Sequence, residues 1–312
     1  MHRRQFLKFS AVAAACASTG LRGEPTLSAA PVAKPASKGP RSNPKGFMLA
    51  TLNSKTSNAL SVGEKFQLLR DAGFAGVEVM SAMDQSEVLA ARDATGLKIP
   101  SVVIASHWAR PLSDGNPGIR AAGLEGLMQG LRDAKAYGAT SVLLVPGAVT
   151  KEVSYAQAYE RSFAEISKAV PLAESLGVVI AIENVWNRFL LSPLEAVAYV
   201  DAFKSPQVRW HLDVGNIVNT GWPEHWIRTL GARIVKVHVK EYSRALRDTK
   251  GPFAGFEIEL MRGDSDWPTV MTALDEIHYD GWMIAEQHRP EGLTDAEWLG
   301  ALSRKMDEVI HA

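Results

Sequence analysis

The sequence predicts a single (β/α)8 barrel, and three observations carry that expectation. From Gly46 onward, eight short runs rich in Val and Ile alternate with amphipathic helical patterns. The runs show little period-two alternation, as parallel strands covered by helices on both faces should. Several helical stretches end at a glycine just before the next run, at Gly73, Gly138 and Gly177, which suits a helix-terminating position with positive φ.

The expected strands are 47–52, 76–80, 100–106, 140–147, 178–185, 207–214, 233–240 and 281–287. Between them lie helical patterns such as GEKFQLLRDAGF, AAGLEGLMQGLRDAKAYGA and DWPTVMTALDEIHYDG. Eight such units fill a barrel of about 250 residues. A doubly wound open sheet is the rival architecture. It has fewer strands and wants a phosphate-binding glycine fingerprint after the first, whereas here the first strand leads into TLNSKTSNALS.

Composition narrows the partners. The 312 residues are 46% hydrophobic and 22% charged, with zero formal net charge and no Lys/Arg stripe. Electrostatics therefore give no reason to expect nucleic acid or an anionic membrane surface. The single cysteine, Cys16, lies in the N-terminal leader, so the folded part has no disulfide and no thiolate metal ligand. In that leader, Arg3 and Arg4 are followed by Gln5-Phe6-Leu7-Lys8 and a short Ala-rich run. The pattern resembles a twin-arginine export signal, which implies the Tat export machinery as partner and a periplasmic or exported location in a bacterium. Its apolar run is too short for a stable membrane span, which needs about 20 residues. We divide the chain into a signal (1–30), a disordered Pro/Ala/Ser/Lys-rich linker (31–45) and the catalytic barrel (46–312). Association with further copies of the chain stays open.

Four metal-type side chains fall one each at the ends of four successive expected strands: Glu183 in VVIAIENV, Asp213 in RWHLDVGN, His238 in IVKVHVKE and Glu286 in WMIAEQH. In such barrels the strand C-termini face the active site. Three ionised carboxylates in one barrel mouth repel one another unless a cation joins them. Mostly oxygen donors with one imidazole suit Mn²⁺, Mg²⁺ or Co²⁺, with Zn²⁺ also acceptable. Four ligands leave two positions on an octahedral ion for substrate oxygens.

Other residues near the expected rim have two readings each. His107 either bonds a substrate hydroxyl or is a satisfied loop histidine. Lys240 keeps the inward alternation of Lys236 and His238 and is expected to touch substrate. Glu78 either touches substrate or bridges barrel residues. Trp186, with Trp108 and Phe189, forms an apolar wall for substrate C–H faces or ordinary rim packing. His211 lies one layer below Asp213, in the core or behind the ligands.

The motifs IAIENV, HLDVGN, VKVHVKEY and GDSDWPTVMTALDEIHYDGWMIAEQ resemble the xylose isomerase-like sugar epimerases and isomerases, a group that includes D-tagatose 3-epimerase and L-xylulose-5-phosphate 3-epimerase. The resemblance spans the whole barrel. It implies one metal ion held by Glu183, Asp213, His238 and Glu286, with Glu183 and Glu286 also serving as acid and base. It further implies a substrate contact at Arg244. Where the ketohexose epimerases carry a substrate-binding histidine, this chain has Asn216, and Leu190 stands where a second acid is expected. The implied activity is a sugar isomerase or epimerase working through a cis-enediolate on a free sugar or derivative. The rivals are a metal-dependent lyase or dehydratase of a keto-sugar or cyclitol, an endonuclease IV-like nuclease, and a non-catalytic sugar-binding protein. The nuclease would need extra histidines, one of which Asn216 replaces, and RALRDTKGPF lacks the D-x-H pair.

Overall fold

Short segments rich in β-branched residues, apolar on both faces, stay in water only if helices cover them, and here they close on themselves. The computed structural model describes residues 41–312; the expected signal and the linker up to residue 40 lie outside the described residues. Strands β1 (Lys45–Met48), β2 (Gly76–Met80), β3 (Ser101–Val103), β4 (Ser141–Leu144), β5 (Val179–Glu183), β6 (Val208–Asp213), β7 (Ile234–Val239) and β8 (Met283–Ala285) form a closed barrel in sequence order. Each pair is parallel, including β1 with β8, so the expected (β/α)8 barrel is the observed fold and no strand edge is left open.

A principal helix follows each strand: α1 (Val62–Asp71), α2 (Gln85–Thr95), α3 (Pro117–Tyr137), α4 (Tyr155–Leu176), α5 (Pro193–Ala202), α6 (Pro223–Leu230), α7 (Trp267–Glu276) and α8 (Asp295–Ile310). Reciprocal capping boxes start α1, α4, α5 and α8, as Ser61–Glu64, Ser154–Gln157, Ser192–Glu195 and Thr294–Glu297. Each satisfies amide donors that the helix start leaves free. Gly138 and Gly177 end α3 and α4 with φ of 77° and 67°, as their place in the sequence predicts.

The strands are shorter than the apolar runs. The run 100–106 yields only Ser101–Val103 as strand, and 281–287 only Met283–Ala285. Ile104 and Val145 stay buried beyond their strands, because the chain turns over the barrel mouth while still covered. The run 47–52 is likewise β1 followed by a 3-10 turn, Leu49–Thr51. Lys240 and Glu286 therefore stand one residue past β7 and β8.

Two further details differ from expectation. The tail of the expected linker is built into the fold: Arg41 bonds Asp275 Oδ2 at 2.8 and 3.0 Å and the carbonyl of Ala312, and Asn43 donates to Gly281 O. A Pro/Lys-rich composition does not reveal partners more than 200 residues away. The second is a register shift between β6 and β7 at Trp210/His211, after which His211 pairs with Lys236 and Asp213 with His238. A one-residue slip changes which side chains stand abreast, and here it sets two of the expected ligands side by side.

Helix α3 packs closely on the segment that carries His107. A Cβ at Gly123 would collide with the carbonyl of Arg110, and one at Gly126 with Ser106. Alanine normally stabilises a helix interior over glycine by about 1 kcal/mol. Gly123→Ala should do the reverse, costing about 1–3 kcal/mol through overpacking against fixed backbone. Urea denaturation measures this, and an unchanged or raised midpoint would show that the contact yields.

Candidate metal centre

Strand alternation delivers the four expected ligands to one place. Glu183 ends β5 and Asp213 ends β6, His238 is the fifth residue of β7, and Glu286 follows β8. One ligand-type atom from each of the four lies within 4.8 Å of every other. His238 Nδ1 is 2.8 Å from Glu286 Oε2, 3.3 Å from Glu183 Oε1 and 3.9 Å from Asp213 Oδ2. None of these contacts has hydrogen-bond alignment, so the buried Nδ1 is left without a partner. Burial disfavours charge on the ring, yet Glu78, Glu183 and Glu286 hold its pKa well above the ordinary value; loss of the Nδ1 proton would leave a lone pair among three carboxylates, as a shared cation requires.

The other ring nitrogen is occupied. His238 Nε2 meets Glu78 Oε2 at 2.8 Å, both side chains fully buried. A carboxylate behind a ligating imidazole fixes its tautomer and orientation. Glu78 therefore bridges barrel residues from below and does not line the cavity above; it is not the substrate contact that was one of its two expected readings. Its inward position on β2 put it in the barrel, but a layer too deep. His211 packs its ring 4.1 Å from that of His238, and neither of its nitrogens has a partner. Burial holds its pKa well below the ordinary value, so the ring is neutral. Below it, Lys236 donates to Thr140 Oγ1 at 2.9 Å, and burial lowers its pKa to about 8. Lys236, His238 and Lys240 form the inward column of β7 that alternation predicts.

The charges at the centre are strongly perturbed. Burial raises the pKa of Asp213 to about 8 against the pull of Lys240, with Glu286 and Glu183 pushing it further up. Burial also raises that of Glu183, which His238 only partly offsets. Burial would raise Glu286 as well, but Lys240 and His238 outweigh it and hold its carboxyl below the usual range. Lys240 Nζ lies 2.6 Å from Glu286 Oε1 and 3.4 Å from Asp213 Oδ2, and it sits 4.7 Å over the Phe256 ring. Burial disfavours its charge, yet Asp213 and Glu286 keep its pKa above the ordinary value.

Above the ligands opens a cavity of about 490 Å³, with Glu183, Lys240, Glu286, His107, Trp186 and Asn216 in its lining. The expected contacts His107, Lys240, Asn216 and Trp186 thus face one space. His107 is also the satisfied loop histidine of its alternative reading, since its Nδ1 accepts from Val145 N at 3.2 Å, which leaves Nε2 as the ring donor. Arg244 departs from expectation. Its guanidinium donates to Val218 O and Gly221 O at 3.0 and 2.9 Å and packs on Trp222, tying down the loop before α6 rather than lining the cavity. Distance along the chain from His238 sets no direction once the chain leaves the strand.

Four contributors were not expected. Asn184 Oδ1 accepts from Asp213 N and Trp210 Nε1, and its Nδ2 donates to Asp213 O at 2.7 Å. One amide thereby locks the end of β6 to the end of β5; its position next to Glu183 in EN was the available signal. Phe253 and Phe256, on the 3-10 turn Pro252–Phe256, meet the Trp186 ring with centroids 5.4 and 4.9 Å apart. Glu241, fully buried, accepts from Met261 N, Ser265 N and Trp267 Nε1 and so organises the segment leading into α7. A lone glutamate after KVHVK gives no hint of that role.

Comparison with known proteins agrees with this geometry. Residues 1–20 match the TAT (twin-arginine translocation) pathway signal sequence, so the chain carries an export signal. No helix among the described residues is long and apolar enough to cross a membrane. The L-ribulose-5-phosphate 3-epimerase UlaE of Escherichia coli O1:K1 / APEC is 27% identical over 239 residues, 72% of this chain and 81% of its own. Among solved structures, an L-ribulose 3-epimerase superposes with a TM-score of 0.68 at 18% identity, covering 86% of this chain and 94% of that one. The 3-keto-D-glucoside 4-epimerase YcjR of E. coli gives 0.69 at 15% identity, covering 86% and 99%. Residues 66–306 match the xylose isomerase-like TIM barrel description, and the chain belongs to that family.

Proposed function

We propose that the protein is a divalent-metal-dependent sugar isomerase or epimerase, acting through a cis-enediolate with Glu183 and Glu286 as the acid/base pair. The observation that carries this reading is the convergence of three carboxylates and an imidazole at the floor of an open cavity. Lys240 offsets one of the three carboxylate charges, and once His238, whose charge the surrounding carboxylates favour, gives up its proton, two negative charges remain for a divalent ion to balance. Glu183, Asp213, His238 and Glu286 would hold it. Their donor set suits Mn²⁺, Mg²⁺ or Co²⁺ and tolerates Zn²⁺.

Such an ion supplies Lewis acidity, polarising a ketose carbonyl and its neighbouring hydroxyl so that the intervening C–H becomes acidic. The protein residues then divide the work. One of Glu183 and Glu286 removes the proton, and the other returns one from the opposite face of the same carbon, which inverts it. Return to the neighbouring carbon would instead exchange aldose and ketose. Asp213 and His238 fix the centre, with Asn184 and Glu78 holding them in turn. Lys240 keeps Glu286 ionised and offers a cation to developing oxyanion charge. His107 Nε2 and Asn216 are placed to bond hydroxyls. The catalogued relatives include an enzyme of a sugar phosphate and one of a 3-keto-glucoside. For an exported enzyme we favour the unphosphorylated class: free ketoses, sugar acids and 3-keto-glycosides, since sugar phosphates are mainly cytoplasmic.

Incubation with a turned-over ketose in D₂O should give an epimer or isomer carrying deuterium at the reacting carbon, read by NMR; an unsaturated product would replace this assignment with a lyase. Glu183→Gln, assayed with saturating Mn²⁺, should lower kcat by about 10²–10⁴-fold while keeping the thermal transition, and wild-type turnover would refute the acid/base role. EDTA should abolish activity, and one of Mn²⁺, Mg²⁺, Co²⁺ or Zn²⁺ should restore it. Metal uptake should also depend on pH. Because Asp213 is raised to about 8, protons occupy the empty centre below that pH and must leave when a cation enters. Mn²⁺ affinity should therefore climb about tenfold per pH unit for each proton displaced across pH 6 to 8. Calorimetry showing no pH dependence between 6 and 8 would contradict the assigned ligands.

A further inference from the structure

The reaction cavity has a neighbour. A second space of about 370 Å³ lies between the segments that follow β5 and β6. Val185, Trp186, Asn216 and Phe253 line both spaces, so one wall divides them. Each has the volume of a small-molecule site, ~300–1,000 Å³. A single free pentose or hexose held at the four ligands would use only the first.

The lining of the second space has a definite chemistry. Leu190, Leu191, Ile217 and Trp226 supply apolar surface, while Asn219 and Thr220 supply neutral polar groups. Arg188 is its one charged side chain, too few cations for a phosphate subsite. At the wall, Trp186 is held by its Nε1 bond to Asn216 O at 2.9 Å. Phe253 and Leu191 stand 75% and 66% exposed in this lining, so the space presents accessible apolar surface. Aromatic faces of this kind stack on the C–H faces of sugar or aryl rings.

The backbone beside this space is strained. Arg188 and Leu190 both adopt left-handed conformations, with φ of 59° and 55°, and a branched residue is rarely found there. The surroundings enforce the shape: Asn187 Nδ2 donates to Gly147 O at 2.6 Å, and Leu190 N donates to Tyr155 Oη at 3.0 Å. Residues held in such conformations gather at binding sites. The strain turns Leu190 inward, where it is buried against the second space.

We infer that the second space is the subsite for an uncharged ring joined to the reacting sugar by a glycosidic oxygen, so that the substrate class is a keto-glycoside rather than a free or phosphorylated ketose. The inference deepens the proposed function and rests on its placement of the reacting carbons at the four ligands. The linking oxygen passes the Trp186–Phe253 wall, and the second ring stacks beyond it.

The test compares binding by tryptophan fluorescence in the presence of Mn²⁺, using 3-keto-D-glucose, its phenyl β-glycoside and D-ribulose 5-phosphate. The phenyl glycoside should bind at least ~10-fold more tightly than either of the others. Thr220→Trp, an exposed position that would fill the second space, should erase that preference and leave the affinity for 3-keto-D-glucose unchanged. Leu191→Trp, from the other loop, should do the same, and unaltered Mn²⁺ affinity in each variant confirms a folded barrel. Equal binding of the two uncharged sugars, tightest binding of the phosphate, or a preference that survives both substitutions would overturn the inference. Deuterium exchange at carbon reads the chemistry separately. In the unsubstituted protein, no preference with exchange intact defeats the subsite alone, and absent exchange with the preference intact defeats only the enediolate reading.

Discussion

Mutual repulsion among Glu183, Asp213 and Glu286 is the constraint on which the centre depends. Each is brought into a space where burial disfavours its charge, and each sits within reach of the others. Water cannot screen them there, so charge must be met by charge. Lys240 meets part of it and ties Glu286 to the centre at 2.6 Å. The rest falls to a cation, to protons, or to both in exchange. The same tension would destabilise an ordinary core, and it suits these groups to the proton transfer proposed for them, because small changes in their surroundings shift which of them is ionised.

Geometry this demanding needs support from behind. Glu78 fixes the far side of the His238 ring, and Asn184 fixes the backbone on both sides of Asp213. The register shift at Trp210/His211 places Asp213 beside His238; an unbroken register would have paired it with the neighbouring valine. Below this layer burial lowers the pKa of Lys236 to about 8, and its ammonium is met by Thr140. Strength and chemistry are thus separated by depth along the same strands.

Much of this was legible in the chain. A ligand-type residue closing each of four Val/Ile-rich runs fixes both strand and direction, so the convergence of these four side chains and the inward column of β7 could be read from alternation. Rim residues one or two places past a strand end, such as Lys240 and Glu286, remained predictable because the chain had not yet turned away. Arg244, four residues beyond Lys240, was not, since its direction depends on carbonyls of Val218 and Gly221 that no local pattern signals. Glu78 could be placed inward but not in depth, because stagger between strands is a property of closure. The slip in β6 and the anchoring of Arg41 were invisible for the same reason: both are agreements between distant segments.

All four residues of the candidate centre come from β5 to β8 or the position just past β8, and among the described residues β1 to β4 contribute none to that group. The first half of the barrel supplies His107 and Trp108 to the cavity wall, and its Glu78 acts only from behind. Such a division lets the two halves answer to different demands. Changes in the loops after β1 to β4 can remodel the space around a sugar without disturbing the reactive groups, so new specificities are reachable from this scaffold by altering half of it.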